Sequence, residues 1–280
     1  MLLLVDLDGV VYRGAQPVPG VAAVLAARAA AGDEIVYVTN NSMWYRGDYV
    51  TRLASMGAPV SPDRIVSSAR ATALYLAEQA PRPACTLVVG APGLLHELRD
   101  VGLEIMPSAE AAERWTANGH DAAAATRGVD TVVAGLDLEF GYARLAVAAA
   151  AVRAGARFVA TNRDPTYPME HGLMPGAGSV VAAIVAASGV EPVSIGKPGP
   201  LLLEVAARVT GRPVTEAVMI GDSLLTDIPA ANAVGARSVL MLTGISTAAQ
   251  LAGLAAADRP TEVAANAEEL AAVLDRLARG

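Results

Sequence analysis

Two aspartates that directly follow an apolar run place the strongest constraint on the fold of this chain. Residues 2–5 are LLLV, and they lead into Asp6 and Asp8, which one leucine separates. A continuous apolar run of this length predicts a buried strand that ends where the carboxylates begin. Two like charges this close repel each other unless a cation or a proton lies between them. The sequence therefore predicts a charged site at the end of a buried strand, balanced by a positive group.

Short apolar segments alternate with Ala-rich helical segments along the chain. The first example runs LLLVD, GVAAVLAARAAAG and EIVYVTNNS, with Gly32 where a helix commonly ends. The pattern returns in EPVSIGKP, AVMIGDS and RSVLMLTG, with helices predicted to begin near Pro198 and Thr226. Strands that are apolar on both faces are typical of parallel sheets covered by helices. We predict an α/β fold with a Rossmann-like, doubly wound parallel sheet.

A second α/β series occupies the middle of the chain, from CTLVVGAP to RFVATN. Residues 79–84 and 172–179 bracket it, and their Pro and Gly content is typical of crossings between domains. A chain of 280 residues is also long for one compact core. We predict a core domain of residues 1–80 and 178–280, and an inserted α/β domain of residues 81–177.

Charge and composition disfavour several classes of protein. The net charge of −7 disfavours nucleic acid as a partner, because phosphate backbones are bound by clustered Lys and Arg. Cys85 is the only cysteine, so we expect no intrachain disulfide and a cytoplasmic location. No apolar run of 18 residues occurs, so we expect no membrane partner. His96, His120 and His171 lack the spacing of a zinc site.

Polar residues follow several of the predicted strands, where ligands collect in open α/β sheets. They are Asp6, Asp8, Thr39, Asn40, Asn41, Lys197, Asp222 and Asp227. Carboxylate oxygens are preferred Mg²⁺ ligands, while lysine, hydroxyl and amide groups bind phosphoryl oxygens. With Mg²⁺ between them, Asp6 and Asp222 can both stay ionised, and Asp6 can attack phosphorus. This set of residues predicts a site for Mg²⁺ and a phosphate group.

Four segments carry a family resemblance. DLDGV, VTNNS, GKP and GDSLLTDI resemble the four ordered motifs of the haloacid dehalogenase (HAD) superfamily of phosphatases. The inserted segment is similar to the C2-type cap of its NagD-like, p-nitrophenylphosphatase subfamily, class IIA. The resemblance implies a phosphoric monoester hydrolase that uses Mg²⁺ and acts on a small phosphate ester. It also makes a homodimer a candidate assembly, since relatives commonly form one through the cap.

The resemblance implies roles for the two aspartates of the first motif and for the metal site. Asp6 would attack phosphorus and form an aspartyl-phosphate. Asp8 would protonate the leaving oxygen and later deprotonate the hydrolytic water. Mg²⁺ would be held by Asp6, Asp222 and the backbone carbonyl of Asp8. Asp227 would orient these ligands without binding the metal directly.

The resemblance also assigns residues to the phosphate and to the substrate. Thr39, Lys197 and the amides of Asn40 and Asn41 would hold the phosphoryl oxygens. Tyr167, in the cap, would help to select the substrate. Ser223, Leu138 and Gly141 depart from residues common in relatives, so a relative's substrate preference does not transfer directly.

Three other functions compete with a phosphatase. A phosphotransferase or mutase would use the same aspartyl-phosphate and return the phosphoryl group to an alcohol. A phospho-accepting signalling protein also combines acidic residues with a hydroxyl and a lysine, but it is a single, smaller domain. A true dehalogenase needs neither Mg²⁺ nor a second carboxylate, so Asp8 and Asp222 disfavour it.

Overall fold

The computed structural model of the chain describes residues 1–169 and 172–279. Its strands are β1 Leu2–Asp6, β2 Tyr12–Arg13, β3 Gln16–Pro17, β4 Glu34–Thr39, β5 Ile65–Ser67, β6 Thr86–Val89, β7 Ile105–Pro107, β8 Thr131–Ala134, β9 Arg157–Ala160, β10 Thr166–Met169, β11 Gly172–Pro175, β12 Val193–Ser194, β13 Ala217–Gly221, β14 Arg237–Met241 and β15 Glu262–Ala264. Its helices are α1 Val21–Ala30, α2 Arg46–Ser55, α3 Ser68–Ala77, α4 Pro92–Asp100, α5 Ser108–Ala117, α6 Ala122–Ala125, α7 Tyr142–Arg153, α8 Ala177–Ser188, α9 Leu201–Arg208, α10 Asp227–Ala233, α11 Ala248–Ala252 and α12 Ala267–Arg279. Among the helices described, none is long and apolar enough to cross a membrane.

The chain folds into two compact units. The first contains Met1–Thr39, Gly47–Ser67 and Lys197–Gly280, and the second contains Asn40–Arg46 and Ser68–Gly196. Helices α3 and α8 belong to the second unit, because α3 packs on α4 and α8 packs on α7. The boundaries of the two compact units therefore differ from the predicted domain boundaries. The functional division into a catalytic core and an inserted cap stays a prediction.

The first unit is built on a sheet with the strand order β15-β14-β13-β1-β4-β5. Neighbouring strands are parallel throughout this order. Leu3 and Val5 of β1 join the apolar cluster that includes residues of α1, α2 and α12, while α9 packs on the sheet from β1 to β5. Every apolar residue of β1 is fully buried, which explains why the run at residues 2–5 does not alternate with polar residues. The predicted α/β class with a doubly wound parallel sheet is confirmed.

The second unit contains a parallel sheet of its own, with the order β12-β9-β8-β6-β7. Its core includes Leu87, Val132, Val147 and Ile184. A separate antiparallel hairpin pairs β10 with β11 and sets Tyr167 opposite Met174.

The strand expected in EPVSIGKP belongs to this second sheet and not to the sheet of the first unit. Strand β12 pairs with β9, and the pairing continues as the N–H of Ile195 donates to the carbonyl of Ala160 at 3.0 Å. The prediction that Lys197 ends a strand of the same sheet as Asp6 is therefore wrong. An apolar run predicts a strand, but it does not specify which sheet edge that strand joins.

We expect the first unit to depend on the packing of β1. Replacing Leu3, which is fully buried, by alanine should lower the free energy of unfolding by about 2–5 kcal/mol because it leaves a cavity. The matched change Leu225→Ala, at a side chain that is 80% exposed, should stay within about 0.5 kcal/mol of wild type. Urea denaturation followed by circular dichroism measures both, and equal effects of the two changes would contradict the assignment of β1 to the core.

Candidate active site

Three carboxylates meet at the carboxyl ends of β1 and β13. Asp6 is the last residue of β1, Asp222 follows β13 directly, and Asp227 begins α10. The two strands are parallel neighbours, so their carboxyl ends lie at the same edge of the sheet. In the described part of the chain, the carboxylate oxygens of these residues lie within 4.8 Å of one another, and all three residues are buried. The structure thus brings together the acidic residues that the sequence predicts for the metal.

The ammonium group of Lys197 lies between two of these carboxylates. Its Nζ donates to Oδ1 of Asp6 at 2.5 Å and to Oδ1 of Asp227 at 2.6 Å. Three carboxylates and one ammonium leave two negative charges in a buried cluster. A divalent cation would neutralise them, and oxygen ligands are the set that Mg²⁺ prefers. The residues present therefore fit the predicted metal.

Lys197 is also the only lysine of the chain, beside 20 arginines. An ammonium is a compact point charge, whereas a guanidinium is a broad planar fork. The side chain of Lys197 is 3% exposed, and its ammonium is bounded by carboxylates on two sides. This departure from the chain's own preference for arginine is a sequence signal for the site.

Asp227 holds the loop that carries Asp222. Its Oδ2 accepts hydrogen bonds from the backbone N–H groups of Asp222 at 3.1 Å and Ser223 at 3.0 Å. The Ser223 hydroxyl in turn accepts from the backbone N–H groups of Leu225 and Thr226. Ser223, which departs from the residues common in relatives, thus stabilises the turn between Asp222 and α10.

Three glycines leave room for the carboxylates. A Cβ atom on Gly9 or Gly244 would overlap the Asp222 carboxylate, and one on Gly221 would overlap that of Asp227. Gly9 also has a φ of 82°, in the left-handed region that favours glycine. The backbone therefore closes around the acidic cluster more tightly than any side chain would allow.

Burial and neighbouring charges perturb the pKa of the clustered groups. Burial raises the pKa of Asp6 well above its usual value, although Lys197 opposes the shift. Burial and then the Asp227 charge raise the pKa of Asp222 to about 6. Burial by itself lowers the pKa of Lys197, but Asp227 and Asp6 more than compensate and raise it above its usual value. The lysine is therefore a permanent cation, while a further positive charge would stabilise the ionised form of the carboxylates.

Asp8 stands apart from the buried cluster. Its side chain is exposed, on a turn in which the Leu7 carbonyl accepts from the N–H of Val11 at 2.9 Å. Surrounding atoms nevertheless reduce its hydration and raise its pKa, while Arg52 and Lys197 oppose the shift. A raised pKa increases the protonated fraction of the carboxyl near neutral pH, as a general acid requires.

The residues predicted to bind phosphate divide between the two units. Thr39 is the buried last residue of β4, which pairs with β1 so that Val38 lies beside Asp6. Asn40 and Asn41 belong to the second unit. Their roles, and that of Thr39, stay predictions.

The side chains of Asn40 and Asn41 make local hydrogen bonds. Nδ2 of Asn40 donates to Oδ2 of Asp164 at 3.0 Å, and Oδ1 of Asn41 accepts from the N–H of Met43 at 2.9 Å. Both hydrogen bonds lie within the second unit, and the predicted role concerns the backbone amides of the two residues. Tyr167 is half-buried in β10, and its role stays a prediction, while His171 lies outside the described residues.

Sequence reasoning missed the segment Thr243–Ser246, which follows β14. The Thr243 hydroxyl donates to the carbonyl of Gly9 at 2.7 Å, and the N–H of Ile245 donates to Oδ2 of Asp222 at 2.8 Å. The rule that polar residues gather at the ends of parallel strands would have found it, because β14 lies beside β13.

Comparison with known proteins agrees with this geometry. A family model described as haloacid dehalogenase-like hydrolase matches residues 3–104, and a HAD-hydrolase-like model matches residues 194–270. The D-glycerol 3-phosphate phosphatase of Mycobacterium tuberculosis is 38% identical over 93% of this chain and 68% of its own length. The chain belongs to the haloacid dehalogenase-like hydrolases.

A further relative and a solved structure support the class of reaction of this HAD-like hydrolase. The acid sugar phosphatase of Staphylococcus epidermidis is 34% identical over 87% of each chain. A glycerol phosphate phosphatase from M. tuberculosis, solved in complex with magnesium, superimposes with a TM-score of 0.82 at 36% identity, covering 96% of this chain and 75% of that one. The predicted family is confirmed, and with it the class of phosphatases.

We expect the fold of the first unit to depend on the charge of Lys197. Lys197→Met should lower the free energy of unfolding without added metal by about 3–5 kcal/mol, because it leaves the buried carboxylates of Asp6 and Asp227 without a counter-ion. The matched change Arg276→Met breaks an exposed pair with Glu262 and should cost no more than about 1 kcal/mol. Chemical denaturation in the presence of a chelator measures both. A Lys197→Met protein as stable as Arg276→Met would contradict the assigned charge balance.

The affinity for Mg²⁺ should depend on pH through Asp222. Because its pKa is raised to about 6, this carboxyl holds a proton below that pH, and the proton must leave before a metal binds. We therefore expect affinity to fall as pH decreases below this value, by about tenfold per pH unit for each proton displaced. Titration calorimetry with MgCl₂ at pH values from about 5 to about 8 measures this change in affinity. An affinity that does not vary with pH would contradict it.

Proposed function

We propose that this HAD-like phosphatase uses Mg²⁺ to hydrolyse small phosphate monoesters through a covalent intermediate on Asp6. One observation carries the proposal: the carboxylate of Asp6 is buried at the end of the central strand beside Lys197, in a cluster that has room and charge for a divalent cation. A buried carboxylate with a fixed cationic partner is suited to attack a phosphorus atom whose oxygens the same cation neutralises.

In the first step, an Asp6 oxygen forms a bond to phosphorus while the bond from phosphorus to the leaving oxygen breaks. Asp8 gives its proton to that leaving oxygen. In the second step, water attacks the aspartyl-phosphate, Asp8 takes a proton from the water, and the bond between phosphorus and Asp6 breaks to release inorganic phosphate. Bound Mg²⁺, held by Asp6, Asp222 and the backbone carbonyl of Asp8, would supply positive charge to the phosphoryl oxygens.

Lys197 and Asp227 prepare the site for these steps. Lys197 contacts both Asp6 and Asp227, so its ammonium lies where it can stabilise negative charge on a phosphoryl group bonded to Asp6. Asp227 accepts from the Asp222 backbone and keeps the metal ligand in place. We propose that Thr39 and the amides of Asn40 and Asn41 bind the remaining phosphoryl oxygens.

We propose small, polar phosphate esters as the substrate class. The relatives reported above are named D-glycerol 3-phosphate phosphatase and acid sugar phosphatase, and both glycerol and sugars are small hydroxylated skeletons. Hydrolysis is favoured over transfer to an alcohol because the relatives reported above are named phosphatases. Substrate selection by Tyr167, a cytoplasmic location and a homodimer stay predictions.

Two single changes test the roles of the aspartates. Asp6→Asn should abolish hydrolysis of both p-nitrophenyl phosphate and glycerol 3-phosphate, because it removes the nucleophile. Asp8→Asn should slow steady-state hydrolysis of both esters by about 10²- to 10⁴-fold, because Asp8 activates the water in the second step whichever alcohol has left. The first step should be slowed less for p-nitrophenyl phosphate than for glycerol 3-phosphate, because an alkoxide needs a proton to leave and nitrophenolate does not. Phosphate release by each purified variant provides the measurement.

Asp258→Asn is the matched control, since Asp258 is exposed and lies outside the acidic cluster. It should retain wild-type rates with both esters. Mass spectrometry of the wild type quenched during turnover should show one phosphate on Asp6. Activity that survives in Asp6→Asn, or in wild type after removal of Mg²⁺ by a chelator, would refute the mechanism.

A further inference from the structure

The segment Thr243–Ser246 touches both loops that carry the proposed metal ligands. It follows β14, which pairs with β13, and β13 pairs with β1. The segment therefore starts at the same edge of the sheet as the loops after β1 and β13. Thr243 and Ser246 are both buried.

On one side the segment forms two hydrogen bonds to Asp222 and one to Leu224. The N–H of Ile245 donates to Oδ2 of the Asp222 carboxylate at 2.8 Å, and the N–H of Ser246 donates to its backbone carbonyl at 3.2 Å. The Ser246 hydroxyl accepts from the N–H of Leu224 at 2.9 Å. These bonds determine the direction in which the Asp222 carboxylate points, as well as the path of its loop.

On the other side the segment holds the loop of Asp6 and Asp8. The Thr243 hydroxyl donates to the carbonyl of Gly9 at 2.7 Å, in a buried position. A Cβ atom on Gly9 would lie 3.0 Å from the Cα of Gly244, so the two backbones are in close contact. The Gly9 carbonyl is one peptide unit from the carbonyl of Asp8, which the proposed function assigns to the metal.

We propose that Thr243 is a positioning residue for Mg²⁺ binding, acting with Ile245 and Ser246 to set the distance between Asp222 and the carbonyl of Asp8. This inference rests on the proposed function. The two ligands lie on loops that follow different strands, and they share no direct hydrogen bond among those described. A single four-residue segment that bonds to both loops links their positions, and groups that hold metal ligands in this way strongly affect affinity.

The test compares Thr243→Val, which keeps the shape and removes the hydroxyl, with Thr243→Ser, which keeps the hydroxyl. Thr247→Val is the matched control, because Thr247 is exposed and its hydroxyl caps α11 without reaching the acidic cluster. For each protein, calorimetry with MgCl₂ alone gives the dissociation constant. The Mg²⁺ dependence of p-nitrophenyl phosphate hydrolysis gives the activation constant and the kcat at saturating metal.

Thr243→Val should raise both constants for Mg²⁺ by about 10- to 100-fold, and its kcat should recover largely at saturating metal. Thr243→Ser should stay close to wild type, and Thr247→Val should not change either constant. A Thr243→Val protein with wild-type constants, or a Thr243→Ser protein as impaired as Thr243→Val, would overturn the inference. If Thr243→Val fails to fold, Ser246→Ala replaces it, with the same expected rise and the same refuting result.

The experiment separates this inference from the proposed function. A wild-type protein that neither binds Mg²⁺ nor hydrolyses p-nitrophenyl phosphate would refute the function itself. A wild type that does both, beside a Thr243→Val protein with unchanged constants, would refute only the role of Thr243.

Discussion

The balance of charge at the carboxyl ends of β1 and β13 is the constraint on which the rest of the site depends. Asp6, Asp222 and Asp227 are buried within a few ångströms of one another, and carboxylates in that arrangement repel strongly where water is excluded. Lys197 relieves part of the repulsion by bonding to two of them, and two negative charges remain. The chain keeps this unfavourable arrangement because the same residual charge attracts a divalent metal. The residual negative charge therefore lowers the stability of the metal-free protein and at the same time raises its affinity for the metal.

The parallel sheet converts a scattered set of residues into a cluster. Asp6 and Asp222 are more than 200 positions apart in the chain, yet β1 and β13 are neighbours with a common direction. Gly9, Gly221 and Gly244 then allow backbone from three loops to approach the carboxylates without side chains between them. The proximity of these loops explains why hydrogen bonds from the segment after β14 reach Asp222 and also Gly9, which follows Asp8. Rigid strands thus supply the position, and glycines supply the close approach.

Membership of the HAD-like hydrolases fits the chemistry of the first unit and leaves the choice of substrate to other residues. Relatives of similar identity are named for different small phosphate esters. In the proposed function, the acidic cluster and Lys197 would bind a metal and a phosphoryl group, and the phosphoryl group is common to all such esters. Ser223, where relatives commonly have another residue, supports a turn in this chain by accepting backbone N–H groups. The presence of serine at this position therefore affects the conformation of the loop and not the reacting atoms.

Much of the fold and of the catalytic cluster could be predicted from the sequence, because local patterns determine them. The apolar run at residues 2–5 predicted β1, and polar residues after apolar runs predicted Asp6, Asp222 and Asp227 as one site. The pairing of β12 with β9 could not be predicted, since an apolar run does not specify the strand with which it pairs. Nor could the bonds of Thr243 to Gly9, because they join residues 234 positions apart.

The sequence by itself determined the residue types of the site, the alternation of strands and helices, and the family. Only the tertiary structure decided that Lys197 bridges Asp6 and Asp227, that the side chains of Asn40 and Asn41 form hydrogen bonds within the second unit, and that the segment after β14 bonds to the loops of the proposed metal ligands. The physical reason is that sequence patterns report burial and backbone preference over a few residues. Hydrogen bonds and ion pairs between distant loops depend instead on which strands become neighbours.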